Sequence, residues 1–232
     1  MGSNAGPIIP QYDKLVFHLD ALNTKSHPGS GNTWYDVSKS GLAGTVIQGT
    51  ASYVSGGSTS NVYFNGSTAY NYGASTVFDI TPSITMNCIW MNRGWTKAWQ
   101  ALFSKGDTAS PRMSKSNSSA ANGWYALGIE PNTYWDSGIA TSHEYDAWKM
   151  ITCVFDQPNS VIKFYINGIG VSNATRTSAL TTNTSRFFVG ANSTASSREL
   201  NGYIAVLQFF NGVLNDNEIQ KLFSSYKGRY GI

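Results

Sequence analysis

Charge is scarce in this sequence. Asp, Glu, Lys and Arg make up 12% of its 232 residues, about half of the roughly 25% usual in globular proteins. The formal net charge is only +3, and no run of Lys or Arg occurs. Nucleic acid and anionic membrane surfaces both demand clustered positive charge, so neither is an expected partner. No apolar stretch approaches the ~18 residues that a membrane-spanning helix needs. The segment Met1 to Pro10 lacks a basic start and an apolar run, so no secretory signal is expected there. Cysteine is nearly absent. Cys88 and Cys153 each sit in an apolar run and read as buried thiols. A disulfide between them is left open, because it depends on their separation in space.

Acidic and histidine chemistry is equally thin. There are four glutamates, Glu130, Glu144, Glu199 and Glu218, and glycoside hydrolysis needs two carboxyl groups facing one bond. Glu144 and Asp146 form the one acidic pair at strand spacing. His18, His27 and His143 show no triad or metal-ligand spacing. The sequence is therefore read as that of a non-enzyme.

Gly, Ser, Thr and Asn supply the polarity that charge does not, and they suit turns and neutral strand faces. Met150 to Phe155 and Val161 to Ile166 are β-rich runs separated by the turn cluster Asp156-Gln-Pro-Asn-Ser160. Asn167-Gly168 follows at once and predicts a type I′ turn into a third strand. In Ser83 to Met91, Ile84, Met86, Cys88 and Trp90 alternate and predict a core-facing side. Further strands are expected at Leu15–Asp20, Gly44–Gly49, Ala51–Val54, Asn61–Gly66, Ala69–Tyr72, Ala101–Gly106, Gly123–Ile129, Arg186–Ala191 and Leu200–Asn211, and another begins at Thr133-Tyr-Trp135. Asp107 to Asn122 has no period and reads as one long irregular segment.

One helix is predicted, from Asp216 to about Lys227. Asn215 and Glu218 have capping-box spacing. Ile219, Leu222, Phe223 and Tyr226 form one apolar stripe, and Gly228 is the expected C-terminal stop. Residues 1–12, with Pro7 and Pro10, read as an extended arm. Residues 13–232 read as one domain, with no internal repeat.

The wording of several strands carries a resemblance. Leu15-Val-Phe-His-Leu-Asp20 is followed by Trp34-Tyr-Asp-Val-Ser38. Trp148 opens a strand ending in Phe155-Asp156, and the next reads Lys163-Phe-Tyr-Ile-Asn-Gly168. Leu200-Asn-Gly-Tyr-Ile204 runs on to Phe209-Phe-Asn211. Over roughly residues 14 to 229 the order and spacing of these motifs resemble the laminin-G-like, concanavalin A-like lectin/glucanase jelly rolls. Pro28-Gly-Ser-Gly-Asn-Thr-Trp34 and the ending Arg229-Tyr-Gly-Ile232 are similar to versions in tailed-bacteriophage virion proteins.

The resemblance implies an all-β, two-sheet antiparallel jelly-roll sandwich with one short C-terminal helix. It further implies a virion structural protein at the virion surface, as capsid decoration, head fibre or tail appendage. The implied partners are a major capsid or tail protein, host-surface glycans and further copies of the chain. The alternative is a free carbohydrate-binding module or lectin of a bacterial surface protein. Trp34, Trp90 and Trp148 match core positions of the family. Trp95, Trp99, Trp124, Tyr134 and Trp135 do not, and stand as candidate glycan-stacking residues. Many relatives hold Ca²⁺ at the sandwich edge. Asp20, Asp36, Asn65, Asp79 and Asn201 are the candidate oxygen ligands, against the plainer role of turn formers.

Overall fold

A computed structural model describes residues 7–50, 52–56, 59–94, 97, 99–106, 111–115, 124–130, 133–140, 145–177, 179–180, 182–193 and 198–232, with backbone alone at 115, 124–130 and 133–140. In chain order the strands are β1 Leu15–Asp20, β2 Thr33–Tyr35, β3 Ala43–Gln48, β4 Ser52–Val54, β5 Asn61–Asn65, β6 Ala69–Asn71, β7 Ser83–Asn92 and β8 Ala101–Lys105. They continue with β9 Arg112–Lys115, β10 Trp124–Glu130, β11 Thr133–Ala140, β12 Trp148–Asp156, β13 Val161–Ile166, β14 Ile169–Thr175, β15 Phe187–Val189 and β16 Asn201–Asn211. One helix, α1, spans Asp216–Tyr230.

These strands make two sheets. The first runs β14-β13-β12-β7-β16-β5-β4, and β1 also pairs with β16. The second runs β11-β10-β9-β8-β15-β6-β3-β2. All the ladders described are antiparallel. The expected two-sheet sandwich with one C-terminal helix is what the chain forms.

Between the sheets lies an aromatic core. Phe78 stacks on Phe187 with centroids 3.7 Å apart, and Phe17, Phe103 and Phe209 meet Phe187 around them. The predicted inward face of β7 is here: Ile84, Met86, Cys88 and Trp90 all join this core. Cys88 is paired with Ile151, and Cys153 with Met86, so the thiols stand on neighbouring strands. Both are buried and free, and loss of water pushes both thiol pKa values up.

The other face of β7 is buried too, because α1 lies on it. Ile219, Leu222, Tyr226 and Tyr230 close over Ile89, Met150, Val154, Val206 and Phe210. Trp148 packs at the margin of this second cluster, partly exposed, and not between the sheets as its family match suggested. Asn215 and Glu218 form the capping box. The helix does not stop at Gly228. It continues to Tyr230, and Gly231 takes the left-handed conformation with φ 66°. Tertiary contacts explain the extension, since Tyr230 packs on Trp148 at 5.2 Å and Arg229 bonds to Asp20. Such contacts outweigh the roughly 1 kcal/mol that an interior glycine costs a helix.

Asn167 and Gly168, at φ 49° and 77°, form the expected left-handed pair between β13 and β14. Strand β9 falls inside the stretch read as irregular. Its four residues, Arg112 to Lys115, pair with both β8 and β10, and so short a run carries little periodic signal. Residues 107–110 and 116–123 of that stretch lie outside those described. Of the arm, Ile9 packs at the edge of the helix cluster, while Ile8 is exposed. Gln11 Nε2 donates to Glu218 Oε1.

Gly190, at φ +83°, sits where an added Cβ would come within 2.2 Å of the Phe64 ring. Gly190→Ala is expected to cost roughly 3 kcal/mol, since both the backbone and the core must yield. Asn215→Ala is expected to cost about 1 kcal/mol. Urea unfolding of each variant checks both values.

Candidate functional site

The second sheet ends in β8, β9, β10 and β11, and most of the candidate glycan-stacking residues fall there. Trp99 lies just before β8, partly exposed, with a left-handed backbone at φ 57°. The guanidinium of the fully buried Arg112 lies 5.8 Å from its ring centroid, within the range of a cation–π contact. Arg112 Nε also donates to Ser114 Oγ at 3.1 Å, which fixes the plane of the guanidinium. Backbone register carries this position outward. Arg112 pairs with Gly128, and Gly128 with Tyr134. One residue on, Met113 pairs with Leu127, and Leu127 with Trp135. Tyr134 and Trp135 thus stand near the β10–β11 turn, whereas Trp99, two residues before the Ala101 that pairs with Ser114, lies toward the other end of these strands. Trp124, paired with Ala140, stands at the far end of the β10–β11 hairpin. Trp95 lies outside the described residues.

The five candidate calcium ligands do not converge. Asp20 takes Arg229 in a two-pronged ion pair, at 2.8 and 3.1 Å, and accepts the Leu22 N–H. Asp36 accepts the N–H groups of His18 and Ser38 and the hydroxyls of Ser38 and Ser40, tying β1 to the β2–β3 turn. Asp79 is paired with the buried Lys105 and accepts the Asn183 N–H. Asn65 Oδ1 closes its own turn by accepting from Ser67 and Thr68. Asn201 stands opposite Asn65 across β16 and β5. Among the described residues no three His, Cys, Asp or Glu side chains gather as a metal set. Ca²⁺ asks for six to eight oxygens; Asn65 and Asn201 are neighbours, but the side chains of Asp20, Asp36, Asn65 and Asp79 are each engaged by protein donors.

Three of the acidic residues weighed for catalysis are engaged. Asp146 is bonded to Arg93 at 2.6 Å on the surface. Glu199 is buried against Lys97 at 2.5 Å. Glu218 serves the helix cap. Glu144 and His143 lie outside the described residues. His27 stacks on Tyr53 at 4.7 Å.

His18 is buried, and loss of water lowers its pKa to about 4; Asp20 and Asp36 pull it up, and Arg229 pushes it down. Its Nε2 is 3.5 Å from the Tyr226 hydroxyl. In the sequence His18 stands out only by its motif position.

The laminin G-type model of the concanavalin A-like lectin/glucanases superfamily matches residues 65–220. The chain belongs to that superfamily. No curated protein matches this superfamily member significantly. Among solved structures, Domain 4 of AbnA, a GH43 extracellular arabinanase from Geobacillus stearothermophilus, in complex with arabinotriose, is similar with a TM-score of 0.68 at 18% identity. That match covers 90% of this chain and 98% of the other. The binding domain of Botulinum neurotoxin DC in complex with SialylT gives 0.67 at 14% identity, covering 92% and 52%. The binding domain of Paraclostridial Mosquitocidal Protein 1 gives 0.68 at 15%, covering 93% and 53%. The chain thus spans about half the length of these toxin binding domains. At such identities the likeness is one of fold.

His18 supplies a pH test. A base whose folded pKa lies below its unfolded value near 6.5 stabilises the fold fully only above that value. The contribution is lost as pH falls from 6.5 to about 4, and amounts to about 3 kcal/mol. His18→Gln is expected to flatten that part of the stability–pH curve, read by urea unfolding at each pH.

Proposed function

We propose that this chain is a non-catalytic carbohydrate-binding sandwich displayed on the surface of a tailed-phage virion. The binding half of this reading is carried by one observation, the partly exposed Trp99 ring braced by buried Arg112. Sugars present apolar C–H faces that stack on such rings, while polar groups hold their hydroxyls. Correspondence with nearly all of a domain solved with arabinotriose supports it. The non-catalytic half is supported by Asp146, Glu199 and Glu218, each held in an ion pair or a cap. The virion placement is supported by the wording of Pro28 to Trp34 and of Arg229 to Ile232. In that setting the sandwich is a rigid platform, and residues 1–12 attach it to a capsid or tail protein or to further copies.

The test is a glycan array probed with the purified chain, followed by calorimetry on the best hit. Saturable binding without release of reducing sugar is expected, and Trp99→Ala is expected to weaken it at least tenfold. A chain that binds no glycan, or that cleaves one, overturns the proposal. Solution mass with and without residues 1–12 tests the arm. An oligomer that falls to monomer on truncation is expected, and a monomer in both forms removes arm-mediated assembly.

A further inference from the structure

Helix α1 covers only part of the outer face of the first sheet. Beyond its C-terminal end, register sets four large side chains in one row across four strands. Tyr63 on β5 pairs with Tyr203 on β16, Tyr203 pairs with Met91 on β7, and Met91 pairs with Trp148 on β12. Partners in register point to the same side of a sheet, and all four are partly exposed. The Tyr63 and Tyr203 rings are 4.8 Å apart at 36°, and Trp148 lies 6.4 Å from Tyr203.

A polar row runs alongside, two residues further along the strands. Asn65 faces Asn201 across β5 and β16. The Arg93 N–H donates to the Asn201 carbonyl at 3.2 Å. The Arg93 side chain meets Asp146, and the two are 48% and 60% exposed. Asn65 is exposed, and its Nδ2 has no protein partner among the described residues.

Sheet stability alone explains part of this. An aromatic pair such as Tyr63–Tyr203 strengthens neighbouring strands. It does not explain why aromatic and sulfur-bearing surface continues over four strands at an uncovered end, bordered by amide and ion-paired groups. Half-wet rings beside a row of donors and acceptors are what a ligand with both apolar faces and hydroxyls requires.

We infer that this outer face is a second carbohydrate platform, distinct from the Trp99 end of the other sheet, and that it takes a neutral oligosaccharide laid across the strands. It shares with the proposed function only the class of ligand. Sugar rings stack on Tyr63, Tyr203 and Trp148. Hydroxyls meet Asn65, Asn201 and the Arg93–Asp146 pair, which offers donor and acceptor side by side. The ligand is neutral because the charges nearby are closed pairs, Arg93 with Asp146 and Lys97 with Glu199. It is longer than one sugar because β5 to β12 spans three strand spacings, about 14 Å.

The experiment titrates the full chain with arabinotriose, cellotriose and sialyllactose, for wild type, Tyr203→Ala, Arg93→Gln and Trp99→Ala. Thermal unfolding confirms that each variant is folded. Arg93 is exposed, so Arg93→Gln leaves packing intact should Tyr203→Ala unfold. The expected result is that a neutral trisaccharide fills two sites on wild type, that Tyr203→Ala weakens one of them at least tenfold and leaves the Trp99 site, and that Arg93→Gln weakens that same one severalfold. Trp99→Ala should retain saturable binding. Loss of all binding in Trp99→Ala, with Tyr203→Ala and Arg93→Gln like wild type, overturns the platform and leaves the glycan reading standing. Wild type that binds none of the three overturns both. Preference for sialyllactose overturns the neutral ligand.

Discussion

Strand β7 is buried on both faces, and that one constraint organises the molecule. A strand inside a sandwich normally keeps one face for the core and one for water. Here Ile84, Met86, Cys88 and Trp90 fill the inter-sheet core, while Ile89 is sealed under α1. The same outer face carries polar side chains that no longer see water, and each must find a partner. Thr152 Oγ1 donates to Asn87 Oδ1, Asn87 Nδ2 to Gln208 Oε1, and Gln208 Nε2 to the Tyr226 hydroxyl. Thr85 donates to the Gly212 carbonyl and accepts the Leu214 N–H, which sets the approach to the helix. The helix is thus held in one register by directional bonds as well as by apolar contact.

Much of the fold was legible because its signals are local. Alternation in β7, the Asn167-Gly168 turn and the Asn215–Glu218 cap each lie within a few residues. The departures come from long-range contacts. Gly228 reads as a helix stop until Arg229 is seen bonded to Asp20, 209 residues away. Strand β9 is only four residues long, and its Arg112 side chain is buried, which inverts what an arginine suggests in a linear sequence.

The candidate sites were legible only in residue type. Aromatic residues beyond the core pattern pointed to Trp99, and only the folded chain set the buried Arg112 guanidinium over its ring. The row on the outer face could not be read, because Tyr63, Met91, Trp148 and Tyr203 come from four separate stretches and look like ordinary strand residues in each. The oxygens weighed as calcium ligands illustrate the converse. Asp20, Asp36 and Asp79 occupy turn positions in the sequence, and in three dimensions a carboxylate there serves Arg229, the N–H groups of a turn, or Lys105.

The place of β16 has a consequence for how the chain comes to be folded. This last strand is not at an edge. It lies between β7 on one side and β5 and β1 on the other. Until it pairs, the first sheet is three pieces, β14-β13-β12-β7, β5-β4 and β1, each with an open hydrogen-bonding edge that invites pairing with other chains. The arrival of β16 drives a wedge home, and the chain must keep these edges shielded until that strand is in place.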